Sequence, residues 1–210
     1  MILALDTSTQ QITLAIEKSG EIHTRTYRGK EKHAVKLAPI LDDLLKSVGA
    51  KASDVELIGL GVGPGSLTGL RIGIGLVIGL ASVSGARVVP LNSFEVIAKG
   101  VSWSGEKVVV RKARKGYVYI QVFGKSFGPE VLSVEEASKV IGSLENPILV
   151  GDGKELFEGI KAGDAFDFPN PLVLLEMTKS EKAVDYTEIK PLYIQKSIAE
   201  INYERRMRDG

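Results

Sequence analysis

The sequence predicts an α/β protein built from two similar lobes. In the first half, three short runs with strand periodicity precede a helical segment, and then a second strand and helix follow. The same order of elements recurs, more weakly, between residues 106 and 160. The chain has 210 residues, of which 44% are hydrophobic and 25% charged, so it has the length and composition of a globular protein with a substantial core.

The first lobe is predicted to contain five strands and three helices. Alternating or continuous apolar residues predict its strands, at residues 2–6, 11–17, 21–27, 55–62 and 87–90. Apolar residues spaced by three and four predict a helix from His33 to Val48, which Gly49 ends. A glycine-studded helix is predicted from about Gly69 to Ser84, and another helix begins at Ser93.

The second lobe repeats this order. Its strands are predicted at residues 106–110, 116–123, 130–132 and 147–150, and its helices at residues 134–141 and 154–160. We therefore expect a first lobe over residues 1–103 and a second over residues 104–198. Residues 199–210 are charged and lack an apolar period, which indicates a solvated tail.

Charge and composition exclude several classes of protein. Lys and Arg total 27 against 26 Asp and Glu, so the net charge of +1 disfavours a free-standing nucleic-acid-binding protein. The chain has no cysteine, which excludes disulfides, thiolate zinc sites and cysteine nucleophiles and fits a reducing cytoplasm. The N-terminus lacks the basic region of a signal peptide, and the uncharged stretch Ile72–Ala86 is too short for a membrane span. We expect a cytoplasmic protein without membrane contact.

The segment Gly63-Pro64-Gly65-Ser66-Leu67-Thr68-Gly69, called here the glycine-rich motif, joins a predicted strand to a predicted helix. Such a turn can present backbone N–H groups to an anion, with Ser66 or Thr68 as the helix cap. The motif lacks the lysine of a P-loop and the spacing of a dinucleotide-binding fingerprint. A structural turn that ends in a helix cap is therefore favoured over a phosphate-binding loop.

The helix after this motif carries glycine at positions 69, 73, 75 and 79. Each glycine inside a helix costs about 0.5–1 kcal/mol relative to alanine, so a compensating role is expected. Glycines spaced by four let another backbone approach closely, and the other residues make the helix apolar almost all round. Either the helix is buried within its own lobe, or part of it packs against another subunit together with the helix that begins at His33.

Candidate catalytic residues are few. His23 and His33 are the only histidines, and they do not have the spacing of a metal-binding motif. Asp6 could hold a magnesium phosphate, but Asp6 and the Thr-Ser-Thr that follows it are common turn formers, which is the favoured interpretation. We therefore predict neither a metal site nor a catalytic residue.

A basic cluster surrounds the predicted turn at Gly116 and comprises Lys107, Arg111, Lys112, Arg114 and Lys115. Four of these residues, Arg111, Lys112, Arg114 and Lys115, are candidates for contact with RNA or phosphate. A solvated edge strand that is protected by charge explains the cluster equally well.

Several of these segments together resemble the TsaB (YeaZ) family. The glycine-rich motif, extended through Leu70-Arg71-Ile72-Gly73, is the most specific of them. Supporting matches are Ile2–Thr9, the helix from His33 with Leu37, Pro39, Leu44 and Leu45, Ala113-Arg114, Val118-Tyr119, Val150–Gly153 and Pro191–Tyr193. The resemblance implies the fold of actin, sugar kinases and chaperone ATPases, with two duplicated α/β lobes.

The resemblance also implies a function. TsaB-like proteins are non-catalytic partners of the paralogue TsaD in the bacterial machinery that adds threonylcarbamoyl to the tRNA adenosine beside the anticodon. TsaD resembles the catalyst, TsaE is a small ATPase, and TsaC-type enzymes make threonylcarbamoyl-adenylate. For this chain the resemblance implies no intrinsic cofactor, with ATP and tRNA bound only through the complex, and a homodimer when TsaD is absent.

Two positions depart from the family pattern, since Lys112 stands where an aspartate often precedes Ala-Arg and Leu67 replaces a common phenylalanine. In addition, the turn after Asp6 lacks the glycine found in the phosphate turns of nucleotide-binding members of the superfamily. Lys112 and the missing glycine make inherited nucleotide chemistry less favoured.

The implied mechanism is scaffolding, in which the helices beginning near His33 and Gly69 pack against equivalent helices of TsaD. The residues expected at this interface are Leu37, Leu41, Leu44, Leu45, Gly69, Arg71, Gly73, Leu76, Val77 and Leu80. On this hypothesis, Gly73→Leu or Leu44→Glu weakens the heterodimer and leaves the fold intact. Two alternatives stay open, a phosphotransferase or peptidase-like enzyme of the same superfamily and an RNA-binding module.

Overall fold

The computed structural model describes residues 1–194, so the expected charged tail at residues 199–210 lies outside the described residues. The strands are β1 Ile2–Asp6, β2 Ile12–Lys18, β3 Glu21–Tyr27, β4 Leu57–Gly63, β5 Arg87–Asn92, β6 Lys107–Lys112, β7 Tyr117–Phe123, β8 Phe127–Ser133, β9 Ile148–Val150 and β10 Ile160–Lys161. The α-helices are α1 His33–Ser47, α2 Leu67–Ser84, α3 Ser93–Lys99, α4 Val134–Gly142 and α5 Pro171–Ser180. Short 3-10 turns lie at Ala52–Asp54, Lys154–Leu156, Asp164–Phe166 and Tyr186–Glu188.

The described residues form two five-stranded sheets with the same topology. The strand order is β3-β2-β1-β4-β5 in the first sheet and β8-β7-β6-β9-β10 in the second. In each, the first three strands along the chain pair antiparallel and the last two add in parallel. The sequence prediction of a duplicated, two-lobed α/β fold is confirmed, and β1 corresponds to β6 and β4 to β9.

Parallel pairing of β1 with β4 decides where candidate functional residues meet. Because both strands run in the same direction, the turn after β1 and the glycine-rich motif after β4 emerge at one edge of the first sheet. Parallel pairing of β6 with β9 places the turn that contains Asp152 beside the end of β6.

Helix α2 forms because its ends are well capped. The Ser66 hydroxyl accepts the N–H of Gly69 at 3.2 Å, and Gly85, with φ of 73°, ends the helix in the left-handed conformation that glycine adopts readily. One face packs on the first sheet and consists of Gly69, Leu70, Gly73, Val77 and Ala81.

By length and composition alone, α2 is also the helix of the described part that could cross a membrane. That is weak evidence, because core helices of other proteins meet the same two criteria. The sequence analysis predicted no membrane span because the uncharged stretch is short. That stretch begins only at Ile72, since the charged Arg71 lies inside α2.

Helix α5 differs from the predicted lobe division. Residues 104–198 are expected to form the second lobe, but Leu174, Leu175 and Met177 of α5 pack against Ala4 and Val89 of the first sheet. Helices α1 and α2 cover one face of that sheet, and α5 covers another apolar surface on it. An apolar surface is covered by whichever segment reaches it, so order along the chain did not reveal this contact.

The helix predicted at residues 154–160 is wrong. The structure has a 3-10 turn at Lys154–Leu156 and then the short strand β10. Lys154 is buried and its ammonium is bonded to groups further along the chain, so tertiary contacts direct this segment away from a helical path.

Helix α3 connects the lobes. Its Phe94 and Ile97 belong to one apolar cluster with Val109 and Val150 of the second sheet. The lobes therefore share part of a hydrophobic core.

Candidate partner surface and inter-lobe cleft

The turn after β1 is held by buried hydrogen bonds. One carboxylate oxygen of Asp6 accepts the N–H of Ser8 at 2.7 Å, and the other accepts the hydroxyl of Ser93 at 2.6 Å. The Ser93 hydroxyl oxygen in turn accepts the N–H of Gly63 at 3.2 Å. Asp6 is completely buried. The structure thus assigns Asp6 to the turn, as the favoured interpretation of the sequence has it.

The glycine-rich motif packs directly on this turn. Ser66 N–H donates to the carbonyl of Ser8 at 2.8 Å, and the Thr7 hydroxyl donates to the carbonyl of Gly69 at 2.8 Å. A Cβ atom at Gly65 would collide with the Ser8 backbone, and one at Gly69 with the Thr7 carbonyl. The glycines are therefore required for close backbone approach, which explains the motif without a ligand.

A cleft of about 620 Å³ opens between the lobes beside the motif. Its lining includes the start of α2 and the side chains of Lys32, His33, Arg111, Lys112, Tyr119 and Asp152. His33 Nε2 lies 2.9 Å from the carbonyl oxygen of Thr9, so this ring is bound to the chain that forms the cleft wall. Burial raises the pKa of the Tyr119 phenol, against the opposing effect of the Arg111 charge.

Arg111 does not belong to an open basic surface. Its residue is only 8% exposed, and its guanidinium donates to the carbonyl of Ser8 at 3.1 Å and faces the carboxylate of Asp152 at 3.4 Å. Arg111 is therefore not part of the exposed cation cluster, because its residue is buried and both Nη atoms are paired, whereas a contact of Arg111 with phosphate in the cleft stays a prediction.

Three residues of the basic cluster are exposed at the β6–β7 connection, namely Lys112 at the end of β6 and Arg114 and Lys115 in the turn. Within residues 1–194 these three cations have no carboxylate in salt-bridge contact. Arg114 lies over the ring of Tyr117, with its guanidinium carbon 4.1 Å from the ring centroid. The structure thus brings together three of the four predicted residues.

Most of the interface residues predicted from sequence are buried in their own lobe. They are Leu37, Leu41, Leu44 and Leu45 of α1 and Gly69, Gly73 and Val77 of α2. Their assignment to a partner interface is wrong, because the most apolar stripe of an amphipathic helix packs on its own sheet. Gly73→Leu and Leu44→Glu would disrupt this core and do not test an interface.

Of the remaining predicted residues, Arg71 lies on the outer face of α2, and Leu76 and Leu80 border it. This outer face consists of Arg71, Gly75, Ile78, Gly79, Ser82 and Val83, which recur every three or four positions. Ile78 is 39% exposed and Val83 is 75% exposed. A Cβ atom at Gly75 or Gly79 would meet no atom of the described residues within 4 Å. Apart from Arg71 and Ser82 the outer face is therefore apolar, and it is open above Gly75 and Gly79.

Sequence reasoning missed Gly75, Ile78, Gly79 and Val83 as surface residues. The available signal was their phase, since they lie opposite the buried set that begins at Gly69. Helix α1 packs beside α2 and exposes Val35, which is 58% accessible.

Among residues 1–194, no group of three or more His, Cys, Asp or Glu side chains could hold a metal ion. His23, on β3, lies 3.7 Å from the carboxylate of Glu21.

Comparison with known proteins identifies the family. The family model described as "TsaD: tRNA N6-adenosine threonylcarbamoyltransferase" matches residues 16–200, which is most of the chain. The chain belongs to this family, in its TsaB (YeaZ) branch. It is 29% identical to the tRNA threonylcarbamoyladenosine biosynthesis protein TsaB of Haemophilus influenzae, over 94% of each chain. It is 25% identical to the protein of the same name from Bacillus subtilis, over 96% of this chain and 97% of that protein.

Solved structures of TsaB-branch proteins share the fold. YeaZ from Pseudomonas aeruginosa superimposes with a TM-score of 0.78 at 24% identity, covering 91% of this chain and 98% of that one. The family resemblance read from the motifs is therefore confirmed by sequence and by fold.

Proposed function

We propose that this chain acts in tRNA threonylcarbamoyladenosine biosynthesis as a non-catalytic, cytoplasmic subunit that forms a heterodimer with TsaD. The observation that carries the proposal is the outer face of α2. A helix with Ile78 and Val83 exposed and with open space over Gly75 and Gly79 presents apolar area that water solvates poorly. Partner binding would bury this area.

The family match supports the choice of partner. A TsaD family model fits residues 16–200, so TsaD is expected to have an equivalent helix at an equivalent place. Two such helices can pack about a pseudo-twofold axis, and glycine at Gly75 and Gly79 permits close approach of their backbones. From Arg71 to Val83 the outer face is about 18 Å long, which is enough for such a contact.

The bonding of the polar residues around the cleft supports a non-catalytic role. Asp6 has one carboxylate oxygen bound to Ser8 in the turn and the other to Ser93 at the start of α3, His33 is bound to Thr9, and Arg111 is paired across the lobes. These groups hold the fold together. On this proposal TsaD performs the chemistry, TsaE acts through the complex, and ATP is bound only in the complex.

Size-exclusion chromatography with light scattering tests the proposal, first on the chain alone and then mixed with TsaD from the same organism. We expect a homodimer that converts to a one-to-one heterodimer. Gly79→Leu fills the open space and Ile78→Glu adds a charge, so each variant should weaken heterodimer formation at least tenfold and leave the fold intact.

Matched controls come from the second lobe. Gly142→Leu changes another exposed helical glycine with open space, and Leu156→Glu changes another exposed aliphatic residue, so both should bind TsaD like the wild type. If the outer-face variants bind normally, the interface lies elsewhere. If wild-type chain and TsaD never co-elute, with or without ATP and TsaE, the partner assignment fails. ATP or peptide turnover by the chain alone would support the enzyme alternative.

The β6–β7 turn carries a second proposal, direct contact with tRNA within the complex. Lys112, Arg114 and Lys115 are clustered and exposed, and the Tyr117 ring is adjacent to the Arg114 guanidinium. Cations placed in this way neutralise phosphates and release counterions.

Salt dependence of tRNA binding tests this contact. In the complex, replacing all three cations by alanine should lower affinity and reduce the slope of log K against log salt by about 0.7–0.9 for each lost phosphate contact. Lys18→Ala, Lys46→Ala and Lys139→Ala together remove the same charge elsewhere on the surface and should leave the slope unchanged. An unchanged slope in the first triple variant would refute the contact.

A further inference from the structure

Arg111 extends from the second lobe to the first. It lies at the end of β6, and its Nη1 donates to the Ser8 carbonyl of the turn after β1 at 3.1 Å. Its Nη2 lies 3.4 Å from Oδ2 of Asp152, in the turn after β9. One guanidinium thus joins the turn after β1 in the first lobe to the turn after β9 in the second, and its residue is 8% exposed.

The acceptor in the first lobe is rigid. The Ser8 carbonyl receives Ser66 N–H at 2.8 Å as well as Arg111, while Ser8 N–H is bound to the buried Asp6. Ser66 is the N-cap of α2, so Arg111 and the start of α2 share one oxygen atom. A displacement of Ser8 would therefore also move the N-terminus of α2, the helix that carries the outer face.

The acceptor in the second lobe is also fixed. Oδ1 of Asp152 accepts the N–H of Lys112 at 2.9 Å, and Gly153 N–H donates to the Val110 carbonyl at 3.0 Å. A Cβ atom at Gly151 would collide with that same carbonyl, so this turn packs closely on the end of β6. The Asp152 carboxylate and the Ser8 carbonyl are therefore two fixed acceptors for one planar cation that donates two hydrogen bonds. An arginine guanidinium fits this arrangement better than a lysine ammonium.

The two lobes are attached at other points. Asn92 Nδ2 donates to Oε1 of Gln121 at 3.0 Å, and α3 shares an apolar cluster with Val109 and Val150. Loss of Arg111 would leave these contacts in place, so the expected result is an altered cleft and not separated lobes.

We propose that Arg111 is an internal latch that holds the cleft at one width without a ligand and thereby fixes the N-terminal end of α2. The consequence for partner binding rests on the proposed function, whereas the latch is a property of the isolated chain. Arg111 is a positioning residue on this proposal and does not contact a substrate.

Hydrogen exchange measured by mass spectrometry tests the latch on the isolated full chain. In Arg111→Ala, amide exchange should rise at least about tenfold in the peptides that cover residues 7–10, 64–70 and 151–153, a factor that corresponds to loss of one charged hydrogen bond. Arg114→Ala, which changes an exposed arginine three residues away, should leave those peptides unchanged. Unaltered exchange at residues 64–70 in Arg111→Ala would overturn the proposal.

Chemical rescue distinguishes a latch from a merely structural side chain. Methylguanidinium at millimolar concentration should occupy the space left in Arg111→Ala and restore slow exchange, whereas methylammonium should not. If neither cation, or both equally, restores it, the guanidinium-specific latch is refuted. If Arg111→Ala does not fold, Asp152→Asn replaces it, with a smaller rise expected at the same peptides and no rise counting against the latch.

Association kinetics test the link to the partner. Arg111→Ala should associate with TsaD more slowly although the outer face of α2 is unchanged, and equal rates would refute the coupling. If wild-type chain does not bind TsaD at all, the proposed function fails, while hydrogen exchange still decides whether the latch exists.

Discussion

The two lobes build the same turn and continue it in different ways. In the first lobe, the motif after β4 packs on Ser8 and an 18-residue helix follows. In the second lobe, Gly151 and Gly153 pack on the Val110 carbonyl after β9, and only a three-residue 3-10 turn follows. In both lobes, glycine thus occurs where the turn after one parallel strand packs on the backbone at the end of the neighbouring parallel strand.

The difference shows how a duplicated fold divides its tasks. In the first lobe, α2 covers the sheet with one face and leaves the outer face open. In the second lobe, Lys154 turns inward, and its ammonium donates to the Ala162 carbonyl, to Asp164 and to Asp167, each at 2.8 Å. The first lobe therefore presents a surface at this place. The second lobe has Lys154 and its three acceptors there, called here the Lys154 anchor.

Loss of the Lys154 anchor should cause the largest decrease in the free energy of unfolding. Lys154 is 2% exposed, and Lys154→Met would leave the buried Asp167 carboxylate without its cation, at a cost of about 3–5 kcal/mol. Urea unfolding followed by circular dichroism measures this loss. The control Lys161→Met removes a surface pair with Glu155 and should cost less than about 1 kcal/mol. Similar midpoints for the two variants would mean that Lys154 is not an anchor.

A smaller loss is expected at the inward glycines of α2. Gly73→Ala places a Cβ atom against the Thr7 hydroxyl, and overpacking of this kind costs about 1–3 kcal/mol. The thermal unfolding midpoint should fall. A midpoint equal to or above that of the wild type would show that Thr7 moves aside without cost and that the motif does not need glycine there.

The outward glycines should respond in the opposite direction. Gly79→Ala meets no atom of the described residues and improves helix propensity, so at protein concentrations low enough to dissociate the expected homodimer it should stabilise the chain by about 0.5–1 kcal/mol. The same denaturation experiment measures it. Destabilisation would mean that the outer face of α2 is already covered in solution, as in a homodimer. Repeating the measurement at a lower protein concentration would then remove the destabilisation.

The smallest expected effect is on the pH dependence of stability and concerns Asp164, the exposed partner of Lys154. Hydrogen bonding and the charge of Lys154 lower the pKa of Asp164, so its contribution is present above about pH 3.9 and is lost as pH falls through the lowered value. Although burial opposes it, the hydrogen bonds that Lys154 donates to Asp164 and Asp167 raise the pKa of Lys154, so that contribution is lost only in strong alkali. Asp164→Asn should flatten the acid limb of the stability profile, and a profile identical to the wild type would contradict this account.

Local sequence patterns determined the elements near these sites. Alternation at β2 and the spacing of Leu37, Leu41 and Leu44 in α1 depend on neighbouring residues, so they could be recognised directly. The glycine-rich motif likewise indicated a turn, a helix cap and the family. The same local reasoning failed at residues 154–160, where the buried bonds of Lys154 outweigh helix propensity.

The sequence by itself determined the two-lobed α/β fold, the family and the importance of the glycines, because periodicity indicates the fold class and the glycine-rich motif with its supporting segments carries the family resemblance. Tertiary structure alone decided which side of α2 faces the sheet, since Gly73 and Gly79 are the same residue in the same helix and differ only in what lies opposite them. It also decided that Arg111 points into the protein while Arg114 faces solvent. Both outcomes depend on contacts between residues far apart in the chain, such as Ser8 with Arg111, and local patterns do not contain them.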